Sequence, residues 1–469
     1  MAAKVEPQEN GSGSENSFCL EDYDCFGFDM DHTVVQYHLE AVFKLIYGSF
    51  AQYLIEKKGY DKHLLDEKYS RLEDFSLRGL TFEIKTGNFV KLRQDGYIIR
   101  ACHGMTVMSD SEIEACYGKE RIWKYFKDLK SKVHHGVYYK CFENFFDMPI
   151  GVLCARIVDI IDETQGRPQT YTFWPDIFDT LMNSFGPKCF SEHRGYFFSA
   201  IKENAKKYIK KCPDDVIRWF KDLRKAGKIL FLVTQSYIEY TRFLMEWALG
   251  KDWLDLFDLV VTDAKKPDFF FAKPEERPFK IADGENEGTI CKSLERHHCY
   301  SQGTAISLEN TVKRLLNKDN LKIVFFGDSP KSDMYPPFKY RGWDTVGILE
   351  EMEAEEVHFQ KHSSCYQAEI PAKRQKVTMH LAKEEKIIVA SKQWGSFFRD
   401  DKQDENDASN CHEAIVNTFW ADVIRSHCKL AIPLLDYITD LPLDYKFQSF
   451  SKTKLGFYPS PPSTVVHEH

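Results

Sequence analysis

The stretch Phe26-Gly27-Phe28-Asp29-Met30-Asp31-His32-Thr33 decides the fold. From Tyr23 to Phe28 the chain is rich in aromatics, the composition of a buried strand. Asp29 and Asp31 follow at once, at that strand's C-terminal end. In an open parallel sheet this is the end where ligands bind. Two carboxylates one residue apart repel each other unless a positive charge stands between them. A hard divalent cation such as Mg²⁺ relieves the repulsion, because it takes oxygen ligands and keeps positions for water and phosphate oxygens. With one acid ionised and the other protonated, the pair supplies a nucleophile and a general acid. Thr33 adds a hydroxyl expected to brace the turn. A turn with two solvated acids is spelled the same way, so the rest of the chain has to decide.

Composition narrows the classes. The chain has 469 residues, enough for two or three domains or for one core with a large insertion. With 43% hydrophobic and 14% aromatic residues it has ample material for a core. A net charge of −8 gives no global footprint for nucleic acid or an anionic membrane. No apolar run approaches the roughly 20 residues of a membrane span. The 13 cysteines are scattered without a C-x-x-C, as expected of reduced thiols in a cytoplasmic protein. Cys291, His297, His298 and Cys299 come nearest to a zinc cluster, but their spacing fits no common finger. Residues 1–18 are polar, lack a hydrophobic h-region and read as a disordered tail.

Beyond the opening stretch, helical spacing of Val42, Leu45, Ile46, Phe50 and Leu54 predicts a helix over about 40–57. Arg78–Ile84, Gly87–Leu92 and Tyr97–Ile99, the last after Asp95-Gly96, read as a hairpin set. Residues 138–162 read as a buried helix around Val152, Leu153 and Ile157. Lys206, Lys207, Lys210 and Lys211 read as a solvated face. From Pro213 the pattern becomes helix, apolar strand, polar cluster. The strands are Lys228–Val233, Leu256–Val261 and Lys322–Phe326, with Trp343–Leu349 closing the series.

This alternation predicts an α/β fold, a Rossmann-like parallel sheet with right-handed crossovers. Residues 19–36 and 213–350 make that core. Residues 37–212, between the first and second motif strands, are far too long for a crossover and form an inserted cap domain. Residues 351–469 form a C-terminal extension, with a mobile polar loop near 399–410.

Four polar clusters fall at four strand ends, and together they suit phosphoryl transfer. Asp29 is the candidate nucleophile. Asp31 is the candidate general acid and base, protonating the leaving alkoxide and then deprotonating water. Thr234, Gln235 and Ser236 offer hydroxyl and N–H groups to phosphate oxygens. Lys266 supplies fixed positive charge there, with Lys265 as its rival by position. Asp29, Asp31, Asp328 and Asp333 are the candidate Mg²⁺ ligands. Each residue alone has a plain structural explanation, such as Asp328 capping a helix. Four such clusters in this order at four strand ends are hard to obtain by chance.

At these residues the chain resembles the haloacid dehalogenase-like (HAD) phosphatase superfamily. Its D-x-D-x-T is Asp29 to Thr33, its Thr/Ser motif Thr234, its Lys motif Lys266, and its acidic motif Gly327-Asp328 through Asp333. By that resemblance, Asp31 ligates Mg²⁺ through its backbone carbonyl. R-G-L-T-F (Arg78 to Phe82), G-N-F-V-K (Gly87 to Lys91), Ala101 to Gly104, D-A-K-K-P-x-F-F (Asp263 to Phe270) and Tyr300-Ser301-x-Gly303 are similar to the cytosolic purine 5'-nucleotidase-like group. Trp394 to Phe397 and Leu441 to Tyr445 resemble its 5'-nucleotidase domain-containing branch. The resemblance implies a Mg²⁺-dependent 5'-nucleotidase that hydrolyses nucleoside monophosphates through an aspartyl-phosphate. In purine-specific members an Arg, an Asp, a His and aromatics on a cap helix hold the base. The corresponding stretch, Trp174 to Phe185, has no Arg or His. Phosphate-ester chemistry therefore carries over more firmly than a nucleotide substrate. A binding or scaffold protein on a phosphatase fold, and a nucleoside phosphotransferase using the same residues, stay open beside the hydrolase. The expected partner is a small phosphorylated substrate, with neither nucleic acid nor membrane, and homo-oligomerisation is left open.

Overall fold

The computed structural model describes residues 17–66, 73–282, 284, 287–291, 293–352, 391–398 and 417–448. Cys25–Phe28 forms the expected strand, and all four residues are buried. Phe26 and Phe28 point to one face, where they stack on Phe326 at 6.3 and 5.0 Å and meet Trp219 edge-on. Gly27 faces the other side, under the rings of Phe231 and Phe325 from the two flanking strands. A Cβ on Gly27 would lie 2.4 Å from Phe231 and 2.5 Å from Phe325. Both rings are fully buried, so neither has room to retreat. Gly27→Ala is expected to lower stability by about 2–3 kcal/mol, the usual range for overpacking. Urea unfolding checks this, and an unchanged midpoint would mean the rings yield freely.

The main sheet has eight strands. Their order is Phe279–Ile281, His298–Gln302, Leu259–Thr262, Ile229–Val233, Cys25–Phe28, Ile323–Gly327, Asp344–Ile348 and Leu430–Ile432. Neighbours are parallel except at the Phe279–Ile281 edge, which pairs antiparallel with His298–Gln302. The α/β parallel-sheet fold expected from the sequence is therefore present. The chain winds from Cys25–Phe28 outward to one side, then returns and winds to the other. The strand order thus reverses beside Cys25–Phe28, which puts a crevice at its C-terminal end. All four polar clusters open into that edge.

The segment between Cys25–Phe28 and Ile229–Val233 builds a separate antiparallel sheet. Its order is Thr106–Val107, Ile98–His103, Asn88–Leu92, Leu80–Glu83, Tyr139–Phe142. Helices Leu39–Lys58, Met148–Gln165 and Trp174–Phe185 belong to the same insertion. The apolar core runs without a break from Phe26, Phe28 and Phe326 into Phe82 and Phe142 of the insertion, and on to Trp420 and Ile432. The opposite face of the main sheet buries Cys25, Phe231, Phe325 and Trp343.

Several expectations need correction. The stretch 138–162 is not one helix: Tyr139–Phe142 is a strand, and the helix starts at Met148. Tyr139–Phe142 reads Tyr-Lys-Cys-Phe, four residues whose one polar member, Lys140, is too little alternation to separate it from the apolar run that follows. The tail does not extend to residue 18, since Ser17–Cys19 pairs antiparallel with Lys446–Gln448. Trp343–Leu349 does not close the series. Leu430–Ile432, from the supposed extension, pairs parallel beside it. His298–Gln302 is a further sheet strand in what reads as an irregular region. A strand of three to five residues among polar neighbours gives too little periodicity to detect. The loop expected near 399–410 lies outside the described residues. Among the described residues no helix is long and apolar enough to cross a membrane.

Candidate active site

Each motif residue sits just past the strand that places it. Asp29 follows Phe28, and its backbone N–H donates to the Phe326 carbonyl at 2.8 Å. Asp328 follows Gly327. Asp333 returns to the same spot through a π-helical turn, Pro330–Met334. Gly327 makes that return possible, since a Cβ there would lie 2.3 Å from the Asp333 Cβ. The Ser329 N–H donates to Asp333 Oδ2 at 3.1 Å and fixes the loop. As a result Asp29, Asp328 and Asp333 each bring one carboxylate oxygen within 4.8 Å of the others, and all three are buried.

Lys266 answers this charge. Its Nζ lies 2.8 Å from Asp29 Oδ1 and 2.6 Å from Asp333 Oδ1, with the side chain 1% exposed. Lys265 is excluded from the role. It is half-exposed and pairs with Asp263 at 2.6 Å. Position alone left the two lysines equal. The loop carries Asp263 and Lys265 in left-handed backbones, with Lys265 on the solvent side and Lys266 on the buried side.

The electrostatics follow from burial. Burial pushes the Asp29 carboxyl above its ordinary range, while Lys266 pulls it down and Asp31 pushes it up. Burial also raises Asp328, against the pull of Arg78, and pushes Asp333 up to about 7, against the pull of Lys266. Burial works against the Lys266 charge, but Asp29 and Asp333 outweigh it and hold the ammonium above its usual range. Three buried carboxylates face one ammonium and a share of one guanidinium. The donors are all hard oxygens, and positive charge is in deficit. This set fits a Mg²⁺ ion.

One consequence concerns pH. In the metal-free protein, a carboxylate with a raised pKa favours folding while protonated. That contribution is lost as pH rises from the ordinary carboxylate range to about 7, where Asp333 ionises. A cation competes with those protons. The rise in melting temperature caused by Mg²⁺ is therefore expected to be several-fold larger at about pH 8 than at about pH 5.5. Differential scanning fluorimetry at fixed Mg²⁺ reads this directly. A shift of equal size at both pH values would contradict a carboxylate site.

The Asp31 carboxylate is not part of the three-acid group. It accepts from Tyr37 Oη, and from Ser236 Oγ at 3.0 Å. Tyr37 Oη in turn lies 3.4 Å from Tyr240 Oη. Ser236, expected at a phosphate, thus holds Asp31 instead. A side chain directed elsewhere is compatible with a ligand role for the Asp31 carbonyl. Thr234 is fully buried, and its Oγ1 accepts from the Ser236 N–H at 3.1 Å. Its backbone ties the second and third motif loops, through Val261 at 2.9 Å and Ala264 at 3.0 Å. Gln235 is exposed.

Thr33 does not brace its turn, since its buried hydroxyl has no partner. The Met30 carbonyl does so instead, accepting from Val34 at 3.0 Å and Val35 at 2.9 Å. His32 takes a left-handed backbone, φ 55°. Its ring is buried against Tyr37, Phe145 and Phe146, with centroids 4.9–5.0 Å apart. Burial lowers its pKa to about 3, so the ring stays neutral and docks the insertion onto the motif loop.

Sequence reasoning missed Tyr37 and a buried ionic group behind Asp328, formed by Arg78, Glu143, Lys331 and Glu351. The available signal was Arg78 itself, a charge placed two residues before the strand Leu80–Glu83. Cys291, His297, His298 and Cys299 form no metal-ligating group among the described residues. On the helix Trp174–Phe185, Asp176 and Asp179 pair with Lys58 at 3.3 and 2.9 Å. Those acids are thus engaged within the insertion.

The sequence profile of the 5' nucleotidase family matches residues 14–429. The chain is 38% identical over 449 residues to human 5'-nucleotidase domain-containing protein 1, covering 95% of this chain and 96% of that protein. The bovine protein of the same name is 37% identical over the same length. Human 5'-nucleotidase domain-containing protein 2 is 26% identical over 346 residues, covering 73% of this chain and 63% of its own. The likeness to an archaeal beta-phosphoglucomutase structure from Pyrococcus, with a TM-score of 0.24 and 10% identity over 69% of this chain and 86% of that one, is too loose to carry any argument. With the family profile spanning most of the chain and two relatives matched nearly end to end, the chain belongs to the 5' nucleotidase family.

Proposed function

We propose that the chain is a Mg²⁺-dependent phosphomonoester hydrolase of the cytoplasm, acting on nucleoside 5'-monophosphates through an aspartyl-phosphate on Asp29. The observation that carries this is the buried Lys266 ammonium bridging Asp29 and Asp333 within a three-carboxylate group at the strand ends. Asp29 attacks phosphorus with a carboxylate oxygen, and the bond to the leaving alkoxide breaks. Asp31, oriented by Tyr37 and Ser236, gives that alkoxide its proton. It then takes one from the water that cleaves the acyl phosphate. Thr234 and the N–H groups beside it hold phosphate oxygens, and Lys266 offsets their charge. Asp29, Asp328 and Asp333, with the Asp31 carbonyl, hold the cation, which when bound supplies further positive charge to the phosphate.

The test is phosphate release from a panel of nucleoside monophosphates and sugar phosphates, with and without Mg²⁺. Release that needs Mg²⁺ and favours the nucleotides is the expected result. Release only from sugar phosphates would overturn the nucleotide assignment. Transfer to an added nucleoside instead of water would make the protein a phosphotransferase. No release despite Mg²⁺ binding would leave a scaffold role.

A further inference from the structure

Arg78 stands where three distant parts of the chain meet. It lies in the insertion, two residues before the strand Leu80–Glu83, and its side chain is 1% exposed. Its Nε donates to the Glu143 carbonyl at 2.6 Å. Its Nη1 reaches Glu351 Oε1 and Oε2 at 2.9 and 3.3 Å. Its Nη2 donates to the backbone carbonyl of Asp328 and lies 3.4 Å from Asp328 Oδ2. The ring of Phe145 lies 5.1 Å from the guanidinium. Every nitrogen of the fork therefore has a partner. Glu143 grips the same loop one residue further on. Its carboxylate accepts from Ser329 Oγ at 2.9 and 3.1 Å and lies 3.4 Å from Lys331 Nζ.

We propose that Arg78 is a positioning residue that sets the Asp328 carboxylate for the cation, with Glu351 balancing its charge. This rests on the reading that Asp29, Asp328 and Asp333 hold Mg²⁺. A carboxylate on a loop has several rotamers, and a ligand must be held in one. Through Nη2 Arg78 touches Asp328 at carbonyl and carboxylate, while Nε and Nη1 are anchored on Glu143 and Glu351, and a planar fork makes these three attachments at once. Glu351 pairs with the same guanidinium, so the fork does not set an uncompensated cation beside the proposed metal position. Stability alone is a poor reason for such a group, since a buried ion pair exchanged for apolar residues often leaves a fold no less stable.

Two variants separate positioning from stability. Arg78→Lys keeps the charge and loses the fork. The paired change Arg78→Met with Glu351→Met removes both buried charges together. The readouts are the melting temperature in EDTA and the Mg²⁺ concentration that gives half the thermal shift, followed by kcat and KM. In both variants the Mg²⁺ midpoint is expected to rise about 10- to 100-fold, the usual cost of losing a group that orients a ligand. The paired variant should melt in EDTA close to wild type, and KM should change less than kcat. A wild-type Mg²⁺ midpoint in either variant overturns the positioning role and leaves Arg78 as scaffolding. A wild-type protein with no response to Mg²⁺ overturns the cation reading as well, so the two failures are distinct.

Discussion

Asp29→Asn is expected to lower phosphate release by at least about four orders of magnitude, as removal of a nucleophile does in a concerted catalytic group. The amide is nearly isosteric but does not attack phosphorus. The change also removes one of three buried negative charges, and burial already disfavours the ionised form of Asp29. The metal-free variant should therefore be no less stable than the parent. Its stabilisation by Mg²⁺ should shrink, since one ligand is weakened. Loss of release with retained stability is what distinguishes chemistry from misfolding. A variant that hydrolyses as fast as the parent would mean that another group forms the bond to phosphorus.

The second large effect concerns Lys266. Its ammonium is buried between Asp29 and Asp333. Lys266→Met leaves those carboxylates without their neutralising partner, at an expected cost of about 3–5 kcal/mol in the absence of metal. Catalysis should fall by about 10²–10³-fold, the scale set by losing one group that stabilises transition-state charge. Mg²⁺ should restore part of the stability, because a cation takes over the same oxygens, but it should not restore the rate. Urea unfolding with and without Mg²⁺, alongside phosphate release, reads both. If the metal-free variant were as stable as the parent, the three acids would have to share protons among themselves, and the lysine would not be their counter-charge.

These effects concern residues that the sequence already offered. Asp29, Thr234, Lys266, Asp328 and Asp333 are legible because each follows an apolar run at a strand end, where local pattern and site coincide. Position left Lys266 and Lys265 equal and only the resemblance chose Lys266, because which of two adjacent lysines is buried depends on the path of the loop, which letters do not show. Ser236 was assigned to phosphate by adjacency, and only its distance to Asp31 shows what it touches. Glu143, Glu351 and the partners of Arg78 were illegible for a different reason. Their partners lie far away in the chain, and a buried charge looks like any other charge until its neighbours are known. The strands His298–Gln302 and Leu430–Ile432 were missed because the first is mostly polar and the second only three residues long, so neither is an apolar run like the strands that were read, and their place comes from pairing with those strands.

The reversal of strand order beside Cys25–Phe28 has a consequence for biosynthesis. This central strand leaves the ribosome well before both of its neighbours, Ile229–Val233 and Ile323–Gly327. At roughly 5–20 residues per second, this aromatic segment waits on the order of ten seconds or more for its first hydrogen-bonded neighbour and longer for its second. Until then Phe26 and Phe28 have no sheet to join. The clasp between Ser17–Cys19 and Lys446–Gln448 forms later still. The nascent chain thus carries the candidate nucleophile beside an aromatic segment that has no hydrogen-bonded neighbour while roughly 200 further residues are added. Its exposure until Ile229–Val233 arrives is the interval in which sticking between chains competes with folding.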